Sequence, residues 1–70
     1  MFERYADYHY YSVRRDQLSV ESVWDWVSEE GNCYMWKTRV LGGVIWIAQI
    51  PSGSRNTLFA LRYSDCVDLL

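Results

Sequence analysis

The stretch Gly43-Val44-Ile45-Trp46-Ile47-Ala48-Gln49-Ile50, followed by Pro51, decides the fold that we expect for this chain. Every residue after the glycine except Gln49 is apolar, and most are β-branched or aromatic. This composition is typical of a strand that is buried on both faces. We therefore predict that residues 44–50 form the central strand of one small sheet, which the rest of the chain covers or extends.

A hairpin is predicted to join this strand to the segment before it. Residues 33–40 alternate as a strand does, with Trp36 on one side and Lys37 and Arg39 on the other. The glycines at positions 42 and 43 accept the positive φ that tight hairpin turns require. We predict antiparallel pairing with Val40 opposite Ile45.

One helix is predicted over residues 20–30. Its apolar stripe has the spacing i, i+3, i+4 and i+7, and consists of Val20, Val23, Trp24 and Val27. Ser19 is the expected N-cap, and Gly31 is expected to end the helix in a left-handed conformation, with Asn32 behind it.

The remaining segments complete a small α+β fold. Residues 5–13, rich in tyrosine, favour a strand, although residues 2–9 also fit a helical face. Residues 57–63 are predicted as the last strand, and residues 64–70 as a C-terminal tail with room for one helical turn. The whole chain, residues 1–70, is thus expected to be a single domain of order β-α-β-β-β. Its sheet would be antiparallel with three to four strands, and one helix would pack on one face; the register of the last strand stays open.

The number of aromatic residues is large for a chain of 70 residues, of which 17% are aromatic and 50% hydrophobic. A domain of this size buries only about 60% of its unfolded surface, so some rings must lie outside. One helix covers one sheet face, and we expect the face bearing Trp46 to remain open. There are three alternatives for this face: the N-terminal tyrosines or the C-terminal tail pack over it, two copies dimerise through it, or a partner protein binds to it. The candidate interface on this face consists of Lys37, Arg39, Trp46 and Arg62.

Charge is segregated along the chain, although the net charge is only −2. Residues 16–30 contain acids and no base, whereas residues 31–63 contain bases and no acid. Three acids, Glu21, Asp25 and Glu29, form an acidic ridge at i, i+4 and i+8 on the predicted helix, and Trp26 lies beside them. An exposed interface anchored by Trp26 is as plausible as the alternative, in which Trp26 packs under the N-terminal tyrosines or over the sheet edge and the acids keep the protein soluble. The candidate partner-binding residues are Glu21, Asp25, Trp26, Glu29 and Glu30.

No catalytic constellation is present in the sequence, and we expect a non-enzymatic protein without a cofactor. His9, Cys33 and Cys66 offer at most three metal ligands without characteristic spacing, so no metal site is predicted. The cysteines are expected to be free thiols, although a disulfide stays open. The first residues lack the apolar run of a signal peptide, which favours a cytoplasmic location.

In size, acidity and aromatic surface the chain resembles the small single-domain inhibitors that bacteriophages make against host enzymes and defence systems, anti-CRISPR proteins among them. Those inhibitors share no common sequence, so the resemblance implies a general function but no sequence motif. It implies an inhibitor of phage or mobile-element origin that blocks a bacterial nucleic-acid-handling or defence complex through the acidic ridge and exposed aromatic side chains. The alternatives are a single-stranded nucleic-acid-binding protein that uses the sheet face, and a homo-oligomeric accessory protein.

Overall fold

Residues 43–51 form an inner strand of a four-stranded antiparallel sheet in the computed structural model, which describes residues 3–70. The strand order is β2-β3-β1-β4, and this connectivity is the ferredoxin-like, split β-α-β arrangement. The predicted α+β class and antiparallel sheet are confirmed, with one helix more than expected. The elements are β1 (Tyr8–Val13), α1 (Gln17–Glu29), β2 (Tyr34–Val40), β3 (Gly43–Pro51), α2 (Ser54–Tyr63) and β4 (Val67–Leu69).

β3 is buried on both faces, as its composition predicts. It pairs with β2 on one side and with β1 on the other. Ala48 and Ile50 face the helices within the main core, whereas Ile47 faces the opposite side of the sheet, and all three are buried. Because neighbours cover both faces, an uninterrupted apolar run is the pattern this strand requires.

Both helices pack on the same face of the sheet, and this face carries Trp46. Trp46 and Met35 pack against the main core, which includes Val23 and Val27 of α1 and Phe59 of α2. The expectation that the Trp46 face would stay open was therefore wrong. The two faces themselves were assigned correctly, but the helices cover the one that was predicted to lack them.

The opposite face is partly covered by the chain before β1. The backbone N–H of Tyr5 donates to the Tyr10 hydroxyl over 2.8 Å, and the Arg4 guanidinium lies 5.2 Å from the centre of the Tyr10 ring. Arg4 also donates to the carbonyl of Leu70. Tyr10 and Ile47 are consequently buried although no helix lies over them. Strand β1 begins at Tyr8, three residues later than predicted; of the predicted helical face over residues 2–9, Phe2 lies outside the described residues.

The β2–β3 hairpin has the expected two-residue turn, but the turn lies one residue earlier than predicted. Its turn contains Leu41 and Gly42, so that Val40 lies opposite Gly43 and not opposite Ile45. Gly43 has a φ of 133°, a conformation that side chains disfavour. The register differs by two residues, and a shift of two keeps every side chain on its face.

Helix α1 begins three residues earlier than predicted because Asp16, and not Ser19, is the N-cap. The Asp16 side chain accepts a hydrogen bond from the backbone N–H of Ser19 over 3.0 Å. Hydrogen bonding from the Ser19 side chain, and then from its backbone N–H, holds the pKa of the Asp16 carboxyl below its usual value. At the other end, Asn32 and not Gly31 has the left-handed conformation, with a φ of 62°. Asn tolerates this region because its short polar side chain can bond locally.

The C-terminal third differs most from the expectation. Residues 57–63 lie in α2 and are not a strand, and the predicted tail contains the edge strand β4, which pairs with β1. Phe59 and Tyr63 are spaced at i, i+4, and their ring centres lie 5.2 Å apart on the buried side of α2. A short apolar run fits a strand or a helix equally well, and here the packing of these two rings decides for the helix.

Candidate functional site

Helix α2 determines the position of Trp26. The Trp26 ring lies 5.2 Å from the ring of Phe59 and 6.3 Å from that of Tyr63, and the residue is half-buried. The Tyr63 hydroxyl donates to the carbonyl of Ser22 over 3.0 Å and so ties the two helices together. Trp26 therefore forms the floor between the helices. The sequence left open an exposed interface and packing under the N-terminal tyrosines or over the sheet edge, and the ring packs instead against α2.

A polar cleft of about 300 Å³ opens above Trp26 between α1 and α2. The predicted residues Asp25 and Glu29 line it from α1, and both are exposed. Arg62 lines it from α2, with its guanidinium 5.6 Å from the centre of the Tyr63 ring. The cleft thus places two carboxylates beside an aromatic floor, with one guanidinium at its margin.

An apolar surface continues from this cleft along α2. Leu58 and Leu61 lie one turn apart, are 59% and 74% exposed, and share a second recess with Trp26 and Arg62. Sequence reasoning missed these leucines because residues 57–63 were assigned to a strand; the i, i+4 pair Phe59 and Tyr63 is the signal that indicates their outward direction. We call the combined area the α1–α2 surface; it consists of Ser22, Asp25, Trp26, Glu29, Leu58, Leu61, Arg62 and Tyr63.

Two of the predicted partner-binding residues lie outside this surface. Glu21 is exposed one turn before Asp25 and extends the acidic row along α1; its carboxylate accepts a hydrogen bond from the Gln17 side chain. Glu30 instead forms an ion pair with Arg55 over 3.9 Å, and Arg55 also donates to the carbonyl of Gly31. Glu30 thus helps to hold the end of α1 near the start of α2.

Three of the four predicted sheet-face residues meet at the hairpin end of the sheet. The Lys37 ammonium lies 5.3 Å from the centre of the Trp46 ring, and the Trp24 ring meets Trp46 edge-on at 6.1 Å. Arg39 is exposed on the same face of β2 as Lys37. We call this the hairpin-end surface; it consists of Trp24, Lys37, Arg39 and Trp46.

The fourth residue of that set, Arg62, is not on the sheet. It lies on α2 because the predicted last strand is a helix, and it belongs to the α1–α2 surface. The tyrosines of β1 are also divided between the faces: Tyr11 donates to Asn56 of α2, whereas Tyr10 lies on the opposite face. The nucleic-acid hypothesis placed the β1 tyrosines and the basic residues on one face of the sheet. In the structure they do not share one surface.

The described residues contain no group of three or more His, Cys, Asp and Glu side chains placed to hold a metal ion. Cys33 and Cys66 are both free thiols, and burial raises the pKa of the Cys33 thiol, which keeps it protonated. Within residues 3–70, no helix has the length and apolar character needed to cross a membrane.

Comparison of the chain with protein-family models, with curated proteins and with solved structures finds no match. The geometry of the two surfaces is thus the basis on which a function is proposed.

Proposed function

We propose that the protein is a non-enzymatic inhibitor that binds a basic protein surface through the α1–α2 surface. The observation that carries the proposal is the half-buried Trp26, which lies between the exposed carboxylates of α1 and the exposed leucines of α2. Aromatic residues in a central, partly desolvated position, with a polar rim, are typical of the energetically dominant part of protein interfaces.

The charges of the surface indicate the chemistry of the partner. Glu21, Asp25 and Glu29 form a row of exposed acids on α1, and α1 itself contains no Lys or Arg. Complementary charge steers association and excludes partners with like charge. A partner that handles nucleic acid exposes Arg and Lys for phosphate contacts, and these would meet the acidic row.

The biological setting follows from the same charge argument together with the resemblance to phage inhibitors. A bacterial nucleic-acid-handling or defence complex, blocked in the manner of an anti-CRISPR protein, is the target that we propose. The apolar part of the surface supplies the area that a stable complex needs, because rim charges by themselves contribute little affinity.

A charge-reversal experiment tests the acidic row. The triple variant Glu21→Lys, Asp25→Lys and Glu29→Lys should abolish capture of the partner from a bacterial lysate, while the circular dichroism spectrum stays that of the folded protein. The matched control reverses three other exposed acids, Glu3, Asp7 and Asp65, which changes the net charge by the same amount. Capture that survives the first triple variant, or that both triple variants abolish equally, would show that the α1 acids are not the binding row.

A further inference from the structure

The hairpin-end surface places exposed cations against two tryptophan rings. Lys37 and Arg39 are both exposed and lie on the same face of the edge strand β2, and Lys37 contacts the Trp46 ring. Trp24 is 48% exposed beside Trp46. This surface lies outside the α1–α2 surface and is unused by the function proposed above.

We propose that the hairpin-end surface binds single-stranded nucleic acid. Bases would stack on Trp24, and consecutive phosphates would contact Lys37 and Arg39. Aromatic stacking combined with backbone-tracking cations is the general means by which small domains bind single strands without reading their sequence.

The cations of this surface are available to an anion. Within the described residues, neither Lys37 nor Arg39 has a carboxylate oxygen at salt-bridge distance; the ion pair found there joins Arg55 to Glu30. Residues two apart on a strand are separated by about 7 Å, so the two cations form a short row along β2.

The tryptophans favour a single strand over a duplex or a lipid surface. Bases within a duplex hide their faces, whereas an unpaired base presents a ring face to an aromatic side chain. Trp46 is half-buried and its ring is held by Lys37 and Trp24, so it is not free to insert into a bilayer. Binding to anionic vesicles is nevertheless a distinct outcome that the experiment must separate.

Removing the charge of Glu21 tests whether the ligand of this surface is negatively or positively charged. It lies three residues before Trp24 on α1, and its carboxylate is exposed. A negative charge beside the stacking ring opposes a phosphate backbone, so Glu21→Gln should strengthen binding. A surface that binds a basic protein in place of a nucleic acid would show the reverse response.

The experiment is a tryptophan-fluorescence titration with an oligothymidylate of about 12 nucleotides, within the site sizes of small single-strand-binding domains. The expected result is quenching whose logarithmic salt dependence has a slope of about −1.4, for two neutralised phosphates. Lys37→Gln should flatten this slope, and Trp24→Ala should weaken binding about tenfold. Ser54→Glu changes the net charge by the same amount as Lys37→Gln but lies at the far end of β3, and it should have little effect.

Three results would overturn the proposal. The first is no quenching at low salt, and the second is equal loss in Lys37→Gln and Ser54→Glu. The third is binding to vesicles with anionic lipids at the same or higher affinity than to the oligonucleotide. None of these results bears on the α1–α2 surface, and the triple α1 variant, tested for partner capture, separates the two proposals; only its Glu21 substitution touches both.

Discussion

At the scale of single residues, the two central tryptophans of α1 have exchanged the roles that the sequence indicates. Trp24 belongs to the apolar stripe, yet 48% of its surface is exposed, whereas Trp26 lies off the stripe and is the less exposed of the two. The cause is α2, whose Phe59 and Tyr63 pack against the flank of α1 that carries Trp26. A helical wheel predicts which side of a helix packs against a single surface. Here α1 packs against two, the sheet and helix α2.

Asp16 gives the first residue-scale prediction, which concerns pH. Its folded pKa is lowered, chiefly by the hydrogen bond from Ser19, so ionised Asp16 stabilises the folded state. This contribution is complete above the pKa of the unfolded chain and is lost as the pH falls through the lower folded value. Asn caps a helix about as well as Asp and does not titrate. The stability advantage of the wild type over Asp16→Asn, measured as urea midpoints, should therefore shrink from neutral pH to about pH 3.

If the difference in urea midpoint between the wild type and Asp16→Asn stayed constant across that pH range, the carboxylate of Asp16 would not be the group that caps α1. The two proteins differ only in this side chain, so the comparison isolates Asp16.

At the scale of elements, α2 connects the core to the candidate binding surface. Its inner side carries Phe59, which is buried and contacts the rings of Tyr11 and Trp26. Its outer side carries the exposed Leu58 and Leu61. One ten-residue helix therefore both completes the core and presents apolar area.

Phe59 gives the element-scale prediction. Phe59→Ala should cost about 3–5 kcal/mol because the cavity lies where three aromatic rings meet. A domain of this length is stable by about 4–10 kcal/mol, so the variant should be marginally folded. Phe59→Leu retains most of the volume and should cost clearly less. Equal urea midpoints for the wild type and Phe59→Ala would contradict the assignment of α2 to the core.

How much of this fold the sequence predicts depends on the element. The stripe Val20–Val27 has the helical repeat, and the run Val44–Ile50 is rich in β-branched residues and lies between Gly43 and Pro51; both elements form where expected. Residues 57–63 contain a short apolar run that is compatible with both types, and only contacts with distant residues such as Tyr11 decide between them. The site divides in the same way: Asp25, Trp26 and Glu29 come together because they share a helix, whereas Leu58 and Leu61 join them only through tertiary packing.

At the scale of the whole molecule, charge and exposed apolar area form two separate surfaces. The acidic row of α1 borders the α1–α2 surface, and the exposed cations of β2 form part of the hairpin-end surface. The net charge of −2 therefore conceals two regions of opposite sign. In the two proposals, the acidic region binds a basic protein and the basic region binds a phosphate backbone, as an inhibitor of a nucleoprotein complex would.

The most direct test of the central claim compares two exposed leucines on the two helices. Leu61 belongs to the α1–α2 surface and is 74% exposed; Leu18, on α1 outside that surface, is 78% exposed. Neither side chain is part of the core, so Leu61→Asp and Leu18→Asp should both remain folded. The measurement is the affinity of each variant for the protein partner that the wild type captures. We predict that Leu61→Asp loses at least tenfold in affinity while Leu18→Asp binds as the wild type does; equal affinities for the two variants would contradict the account.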